Sequence, residues 1–324
     1  MTIDSSIIEE AAAAIEEASQ IALACHVGPD GDALGSMLGL ALAARNAGKE
    51  TVASFGSPFV LPPSLSFLPL EILVSPNEFP KTPELMVVLD VGSTERLGEL
   101  GSHVSDSGKV MVIDHHVTNE GFGDIAVVDP TAAATGELVF AILGELGWKI
   151  TPEVAMCLLT ALVTDTGRFS YSNTTPLTLR IAADLLEAGA DPSVIGRHVY
   201  EEEAFGYLKA LAVAMGRATL DPEIGVVTTS ITQQDLDEAD VDWSDTENLI
   251  DVLRLAVEAD TAVLAKGHKD GRVKVSMRSR GDTDVGGLAV AMGGGGHRLA
   301  AGFTVEGEIE AVLEQVRERI EDFR

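Results

Sequence analysis

Four short segments of this 324-residue chain carry the side chains best suited to hydrolytic chemistry. The first is His26-Val27-Gly28-Pro29-Asp30-Gly31-Asp32, one imidazole and two carboxylates in a Gly/Pro turn. The second is Asp90, directly after the apolar run Leu85-Met86-Val87-Val88-Leu89; the third is Asp114-His115-His116, directly after Val110-Met111-Val112-Ile113. The fourth is Asp165, in Leu162-Val163-Thr164-Asp165-Thr166-Gly167-Arg168-Phe169. Carboxylate oxygens and imidazole nitrogens are ligands for divalent cations, which polarise phosphoryl oxygens and acidify water. Taken singly, each segment has a plainer reading: Asp and Gly are ordinary turn residues, and Asp90 or Asp165 suits a cap. Two adjacent histidines beside an acid are more specific, because burying them is costly unless they are ligated or paired. The conjunction of all four, each at a strand or helix end, points to metal binding. Ser36, Ser93 and Thr166 lie near the clusters, but no G-x-S-x-G elbow supports a covalent serine route.

The elements that must position these residues follow from apolar patterning. An acidic amphipathic helix is expected from Ile7 to Ile15, a buried strand from Ile21 to Cys25, a helix from Ala33 to Ala47 and a strand from Thr51 to Phe55. The runs Leu85–Asp90 and Val110–Asp114 are apolar on both faces, as central strands of a parallel sheet are. Helices follow at Thr131–Leu146, Pro152–Val163 and Pro176–Ala188. In such sheets ligands gather beyond the carboxyl ends of the strands, where most of the candidate residues fall. The fold class expected is α/β: a parallel-sheet domain over 1–188 with helices on both faces, a helical connector over 189–218, and a smaller α/β domain over 219–324. In that last part Ile224–Thr229, Thr261–Ala265 and Arg272–Met277 read as strands, Thr246–Ala256 and Glu308–Ile320 as helices.

Composition narrows the partners. A formal net charge of -29 argues against coating long duplex nucleic acid, which depends on a basic surface that displaces counterions. The substrate should be small or held by its end. The acidity suits a salt-rich cytoplasm as well as an ordinary acidic enzyme. Cys25 and Cys157 lie in separate apolar runs and read as reduced core residues. With no stretch of eighteen apolar residues and no signal-peptide pattern, a cytoplasmic location and no membrane attachment are expected.

The order His26-x-x-x-Asp30-x-Asp32, Asp90, Asp114-His115-His116 and Asp165 resembles the four motifs of the DHH phosphoesterases. Near the C-terminus, Gly293-Gly294-Gly295-Gly296-His297 resembles the GGGH motif of the associated domain in the nuclease and pAp-phosphatase branches, with one extra glycine. The resemblance spans most of the chain. It implies two divalent metal ions, Mn²⁺ first and Mg²⁺ or Co²⁺ as substitutes: His26, Asp30 and Asp90 on one, Asp32, Asp90, His115 and Asp165 on the other, with Asp90 bridging. It implies that His116 faces the substrate phosphate, that Asp114 orients the neighbouring histidines, and that a metal-activated water cleaves the ester. In the second domain it makes Arg278, the glycines Gly294, Gly295 and Gly296, and His297 the substrate-binding candidates, with Arg280 weaker; Arg168 is added from its place beside Asp165. The active site is then expected in a cleft between domains. The activity implied is that of the NrnA-like oligoribonuclease/pAp-phosphatase branch, acting on short single-stranded oligonucleotides, linear dinucleotides or bisphosphonucleosides. A soluble cyclic-di-AMP phosphodiesterase and a RecJ-like single-strand exonuclease are the alternatives, and the class admits a homodimer.

Overall fold

The computed structural model describes residues 3–119, 121–246 and 248–324. They form two compact units, Met1–Glu202 and Glu203–Arg324.

The first unit is built on five parallel strands, β1 (Gln20–Cys25), β2 (Glu50–Phe55), β3 (Leu85–Leu89), β4 (Lys109–Asp114) and β5 (Ile125–Val128), in the order β2-β1-β3-β4-β5. The side chains of β1, β3 and β4 divide by strict alternation. Ile21, Leu23, Val87, Leu89, Met111 and Ile113 join one core with the α-helices, whereas Ala22, Ala24, Met86, Val88, Val110 and Val112 join another with Leu97 and Leu100. The first face is covered by α1 (Ser5–Glu17), α2 (Gly31–Asn46), α3 (Thr135–Glu145), α4 (Pro152–Asp165) and α5 (Pro176–Glu187). The helical layer on the second face is 3₁₀, Thr94–His103. Both faces are therefore dry, which is why these strands are apolar throughout rather than alternating with polar residues.

Three departures from the sequence reading concern the site. Helix α2 begins at Gly31 rather than Ala33, because Asp30 caps it: its Oδ1 accepts from the N–H groups of Asp32 (3.1 Å) and Ala33 (3.0 Å). Helix α3 begins at Thr135 rather than Thr131, because Asp129 Oδ1 accepts from both the N–H (2.9 Å) and the hydroxyl (2.7 Å) of Thr131 and holds a turn before the helix. Helix α4 continues to Asp165. Strand β5 was not anticipated; it is four residues long at the sheet edge and half of it is only partly buried, so its apolar signal is weak.

After a short helix α6 (Pro192–Gly196) and a π-helical turn over Arg197–Glu201, the second unit opens with α7 (Phe205–Gly216). Its six strands are β6 (Thr219–Asp221), β7 (Val226–Thr232), β8 (Thr261–Gly267), β9 (Arg272–Ser279), β10 (Gly295–His297) and β11 (Ala300–Glu306), in the order β10-β11-β9-β8-β7-β6. Only β7 and β8 pair in parallel. Helices α7, α8 (Gln233–Ala239) and α9 (Leu249–Leu253) cover one face; α10 (Val285–Ala291) and α11 (Ile309–Ile320) cover the other. The helix expected over Thr246–Ala256 is thus shorter, and Glu247 within it lies outside the described residues. Strands β6, β10 and β11 and helices α8 and α10 were not read from the sequence.

Helices α2 and α4 cross closely at Gly35, where a Cβ would lie 2.4 Å from the Cys157 carbonyl oxygen. Since backbone cannot yield as a flexible side chain does, Gly35→Val is expected to lower unfolding free energy by about 1–3 kcal/mol, read as a lower midpoint in urea. An unchanged midpoint would contradict the packing described.

Candidate metal centre

His26 directly follows β1, Asp90 follows β3, and Asp114 ends β4 with His115 and His116 just beyond it. Helix starts and ends bring the remaining acids: Asp30 caps α2, Asp32 sits in its first turn, and Asp165 ends α4. Side chains from residue 26 to residue 165 thereby meet at the carboxyl edge of one sheet.

Asp90 lies at the middle. Its Oδ2 is 3.6 Å from His26 Nε2, and its Oδ1 is 3.7 Å from His115 Nε2. His26 Nε2 also lies 3.9 Å from Asp30, while His115 Nε2 lies 3.6 Å from Asp32 and 3.3 Å from Asp165. Two sets of three ligand atoms, His26/Asp30/Asp90 and Asp32/His115/Asp165, are each compact enough to hold a cation; Asp90, His115 and His116 form a third. Asp90 adopts a left-handed backbone, φ 58°, and its N–H donates to the Ile113 carbonyl (3.0 Å). Such a conformation is uncommon outside glycine, tolerated best by Asp and Asn, and concentrated at functional sites.

Both histidines are turned the way ligands are. His26 Nδ1 lies 3.1 Å from the Val27 carbonyl oxygen and His115 Nδ1 lies 3.3 Å from that of Ala132. A carbonyl can only accept, so each Nδ1 carries a hydrogen, and each Nε2 faces the carboxylates, where it can ligate a cation once its own proton is lost. His116 differs: its Nδ1 faces Asp114 Oδ1 at 2.7 Å. Asp114 also accepts from the N–H of His115 (2.8 Å) and from the Asn119 amide (2.6 Å), so it anchors the turn rather than joining the acid cluster.

The acid cluster is short of positive charge. Among the ion pairs within the described residues, none joins Asp30, Asp32, Asp90 or Asp165 to a lysine or arginine. Burial, followed by the charges of Asp90, Asp165 and Asp30, pushes the Asp32 carboxyl well above its usual range. Burial likewise pushes Asp165 up to about 6, with His115 opposing and Asp90 and Asp30 adding to the rise. His26 is raised: its burial favours the neutral ring, but the hydrogen bond with Asp90, the Val27 carbonyl and the charges of Asp30 and Asp90 outweigh it. The hydrogen bond to Asp114 carries His116 up to about 9 against its partial burial. Like-charged carboxylates that draw protons upward are groups short of positive charge, and a donor set of carboxylates and imidazoles without thiolates fits hard or borderline divalent ions.

Some contributors were not legible beforehand. Asp32 accepts from the N–H groups of Thr135 (2.7 Å) and Gly136 (3.1 Å) at the start of α3 and from the Ser36 hydroxyl (2.8 Å), and Thr135 Oγ1 donates to Asp90 (3.1 Å). Ser36, four residues after Asp32, becomes visible once α2 is known to start at Gly31. Thr135, Gly136 and Asn119 carry no motif that would single them out.

The remaining candidates lie elsewhere. Arg168, exposed, stacks its guanidinium 4.6 Å from the Tyr200 ring centre, in a turn where Gly167, Arg168 and Phe169 are all left-handed. Arg278 lies on β9, with Nη1 donating to the Met277 carbonyl and Nε 3.8 Å from Asp251; Arg280 donates to the Arg254 carbonyl. Gly293 to Gly296 line a concavity of about 680 Å³ with Lys274, Ser276 and Arg278, and His297 is exposed at the end of β10. A Cβ at Gly294 would meet the Gly302 carbonyl at 2.2 Å, and one at Gly296 would meet Ala301 at 2.5 Å, so these two glycines are required by the hairpin itself. Cys25 and Cys157 are buried and free. No helix among the described residues is long and apolar enough to cross a membrane.

The model of the DHH family, N-terminal domain, matches residues 20–162, and that of the DHHA1 domain matches residues 223–323. The chain is 34% identical to the bifunctional oligoribonuclease and PAP phosphatase NrnA of Thermus thermophilus, over 97% of this chain and 94% of that one. It is 30% identical to NrnA of Bacillus subtilis over 86% and 87% of the two chains. Among solved structures, an exopolyphosphatase-related protein from Bacteroides fragilis matches with a TM-score of 0.90 at 25% identity, covering 99% of this chain and 97% of its own. On sequence and fold alike, this chain belongs to the DHH family of metal-dependent phosphoesterases and carries a DHHA1 domain in its second unit.

Proposed function

We propose that the protein hydrolyses short single-stranded oligoribonucleotides, linear dinucleotides and 3′(2′),5′-bisphosphonucleosides such as pAp in the cytoplasm. The observation that carries the mechanism is the division of Asp90, whose two oxygens face two different imidazoles. His26, Asp30 and Asp90 would hold one divalent cation and Asp32, Asp90, His115 and Asp165 the other. Mn²⁺ suits this mixture of carboxylate and imidazole best, with Mg²⁺ or Co²⁺ able to replace it. Two such ions supply Lewis acidity for the phosphoryl oxygens and an acidified water as nucleophile, so no protein nucleophile is needed.

The chain's own groups do the rest. Val27 and Ala132 carbonyls fix the ring orientations of His26 and His115. Asp114 holds His116 through Nδ1 and favours its protonated form, and with a side chain 48% exposed this histidine can donate to a substrate phosphate. The first domain, over 1–188, carries the hydrolysis. The domain over 219–324, joined by the 189–218 connector, recognises the part of the substrate that is not cleaved, through Arg278, the concavity at Gly294, Gly295 and Gly296, and His297. The substrate choice is supported by the near full-length similarity to enzymes named oligoribonuclease and PAP phosphatase. Arg168 remains a phosphate-contact candidate that can leave the Tyr200 ring.

Incubation with pAp, pApA and cyclic di-AMP in Mn²⁺ should release nucleoside phosphates from the first two; inertness toward both would refute the substrate class. Asp90→Ala should lower kcat by more than about 100-fold without unfolding the protein, whereas His297→Ala should chiefly raise KM. Equal loss of kcat in the two variants at saturating substrate would contradict this division of labour. Because Asp165 titrates near 6 in the folded protein against an ordinary 3.8, the folded state binds more protons than the unfolded chain between these values. The contribution of Asp165 to the stability of the cation-free protein therefore falls as pH rises through that window, while the cation, which requires the carboxylate form, contributes more. The difference in Tm with Mn²⁺ and with a chelator should be larger at about pH 7.5 than at about pH 5; a pH-independent difference would count against it.

A further inference from the structure

One buried acid near the centre has no place in the ligand sets. Glu137, in the first turn of α3, is 1% exposed. Its Oε2 accepts from the Ala133 N–H (3.2 Å), and its Oε1 has no hydrogen-bond partner among the described residues. Burying a carboxyl with half its acceptors unmet costs free energy, so the one bond it makes needs a reason.

The reason lies in what the Ala133 peptide supports. Its N–H is taken by Glu137, and its carbonyl accepts from the Asn173 amide (3.0 Å), which also donates to the Asp165 carbonyl (3.1 Å). One residue before, the Ala132 carbonyl sets the ring of His115. Two residues after, Thr135 gives its N–H to Asp32 and its hydroxyl to Asp90. The turn before α3 and the first residue of that helix thus touch His115, Asp32 and Asp90 directly and Asp165 through Asn173. A local shift of this turn would move Nε2 of His115 and both acids together, whereas most single contacts around the site hold only one of them.

We infer that Glu137 is a positioning residue: by holding the Ala133 peptide it fixes the turn that aligns His115, Asp32 and Asp90 for a cation. It contacts neither substrate nor cation. The inference rests on the two-cation reading of the site, and it concerns geometry at a distance of one hydrogen bond from the ligands, where loss of a partner lowers metal affinity by about 10–100-fold.

The test measures Mn²⁺ binding by titration calorimetry on the full chain, beside circular dichroism and Tm in chelator. Glu137→Ala is expected to fold, to bind the cation at the Asp32/His115 site at least about 10-fold more weakly, and to lose kcat with KM little changed. Glu137→Gln retains an acceptor for the Ala133 N–H and should recover affinity to within about threefold of the wild type. If Glu137→Ala fails to fold, Glu137→Asp, one methylene shorter, should show the same weakening. Wild-type affinity in Glu137→Ala, or in Glu137→Asp if that is the variant that folds, would overturn the proposal. So would a lowered Tm in chelator with unchanged affinity, the signature of a merely structural role. A wild-type protein that binds no divalent cation would instead remove the two-cation reading itself.

Discussion

Mutual repulsion among carboxylates is the constraint around which the first unit is arranged. Asp30, Asp32, Asp90 and Asp165 converge on two imidazoles, and Asp32 and Asp90 are almost fully buried. In an environment of lowered dielectric, such a cluster drives itself apart or takes up protons unless positive charge is supplied. The fold supplies fixed partial charge first. Asp30 caps α2 and Asp32 lies in its first turn, while Asp32 also receives two N–H groups from the start of α3, so the positive ends of two helices are aimed at the acids. These dipoles make the cluster tolerable. They do not neutralise it: burial and the neighbouring carboxylates still hold Asp32 and Asp165 above the usual carboxylate range.

The topology explains why the acids are where they are. In the order β2-β1-β3-β4-β5, the chain leaves β1 toward β2 on one side and later resumes with β3 on the other, so a crevice opens beyond the carboxyl ends of β1 and β3. His26 ends one side of that crevice and Asp90 the other. A residue at the end of a strand has its backbone fixed by the sheet up to the preceding position, and its side chain is free to point along the strand axis. The left-handed turn at Asp90 uses this freedom: it redirects the chain at the last hydrogen-bonded position and places both carboxylate oxygens between the neighbouring imidazoles.

Much of this was legible in the sequence, and the boundary of legibility is physical. The central strands announce themselves because a sheet covered on both faces must be apolar at every position, and each of them leads straight to an acid or a histidine. His26, Asp30, Asp32, Asp90, His115 and Asp165 were therefore named before the fold was known, and the structure brings their ligand atoms together. What escaped was either marginal in burial or local in cause. Strand β5 is short and half-wet; the late start of α3 depends on a hydroxyl and an N–H captured by Asp129, a competition that helix propensity does not register. In the second unit, the glycines at 293–296 stood out only as a motif, whereas Gly295 and Gly296 form a strand, because Gly294 and Gly296 permit a closeness to β11 that any Cβ would prevent.

The chain's large negative charge bears on how an anionic substrate approaches. Two divalent cations carry as much positive charge as the four clustered carboxylates carry negative, so a loaded centre is close to neutral before His116 is counted. Asp114 and a protonated His116 add one negative and one positive charge, so the loaded centre would stay close to neutral while offering an N–H donor on a side chain that is 48% exposed. Long polyanions would meet the surrounding acids along their length, with each additional phosphate adding repulsion. A substrate with one or two phosphates gains the local attraction while avoiding most of that cost. A net charge of this sign opposes a long polyanion more than a short one, independently of the shape of any pocket.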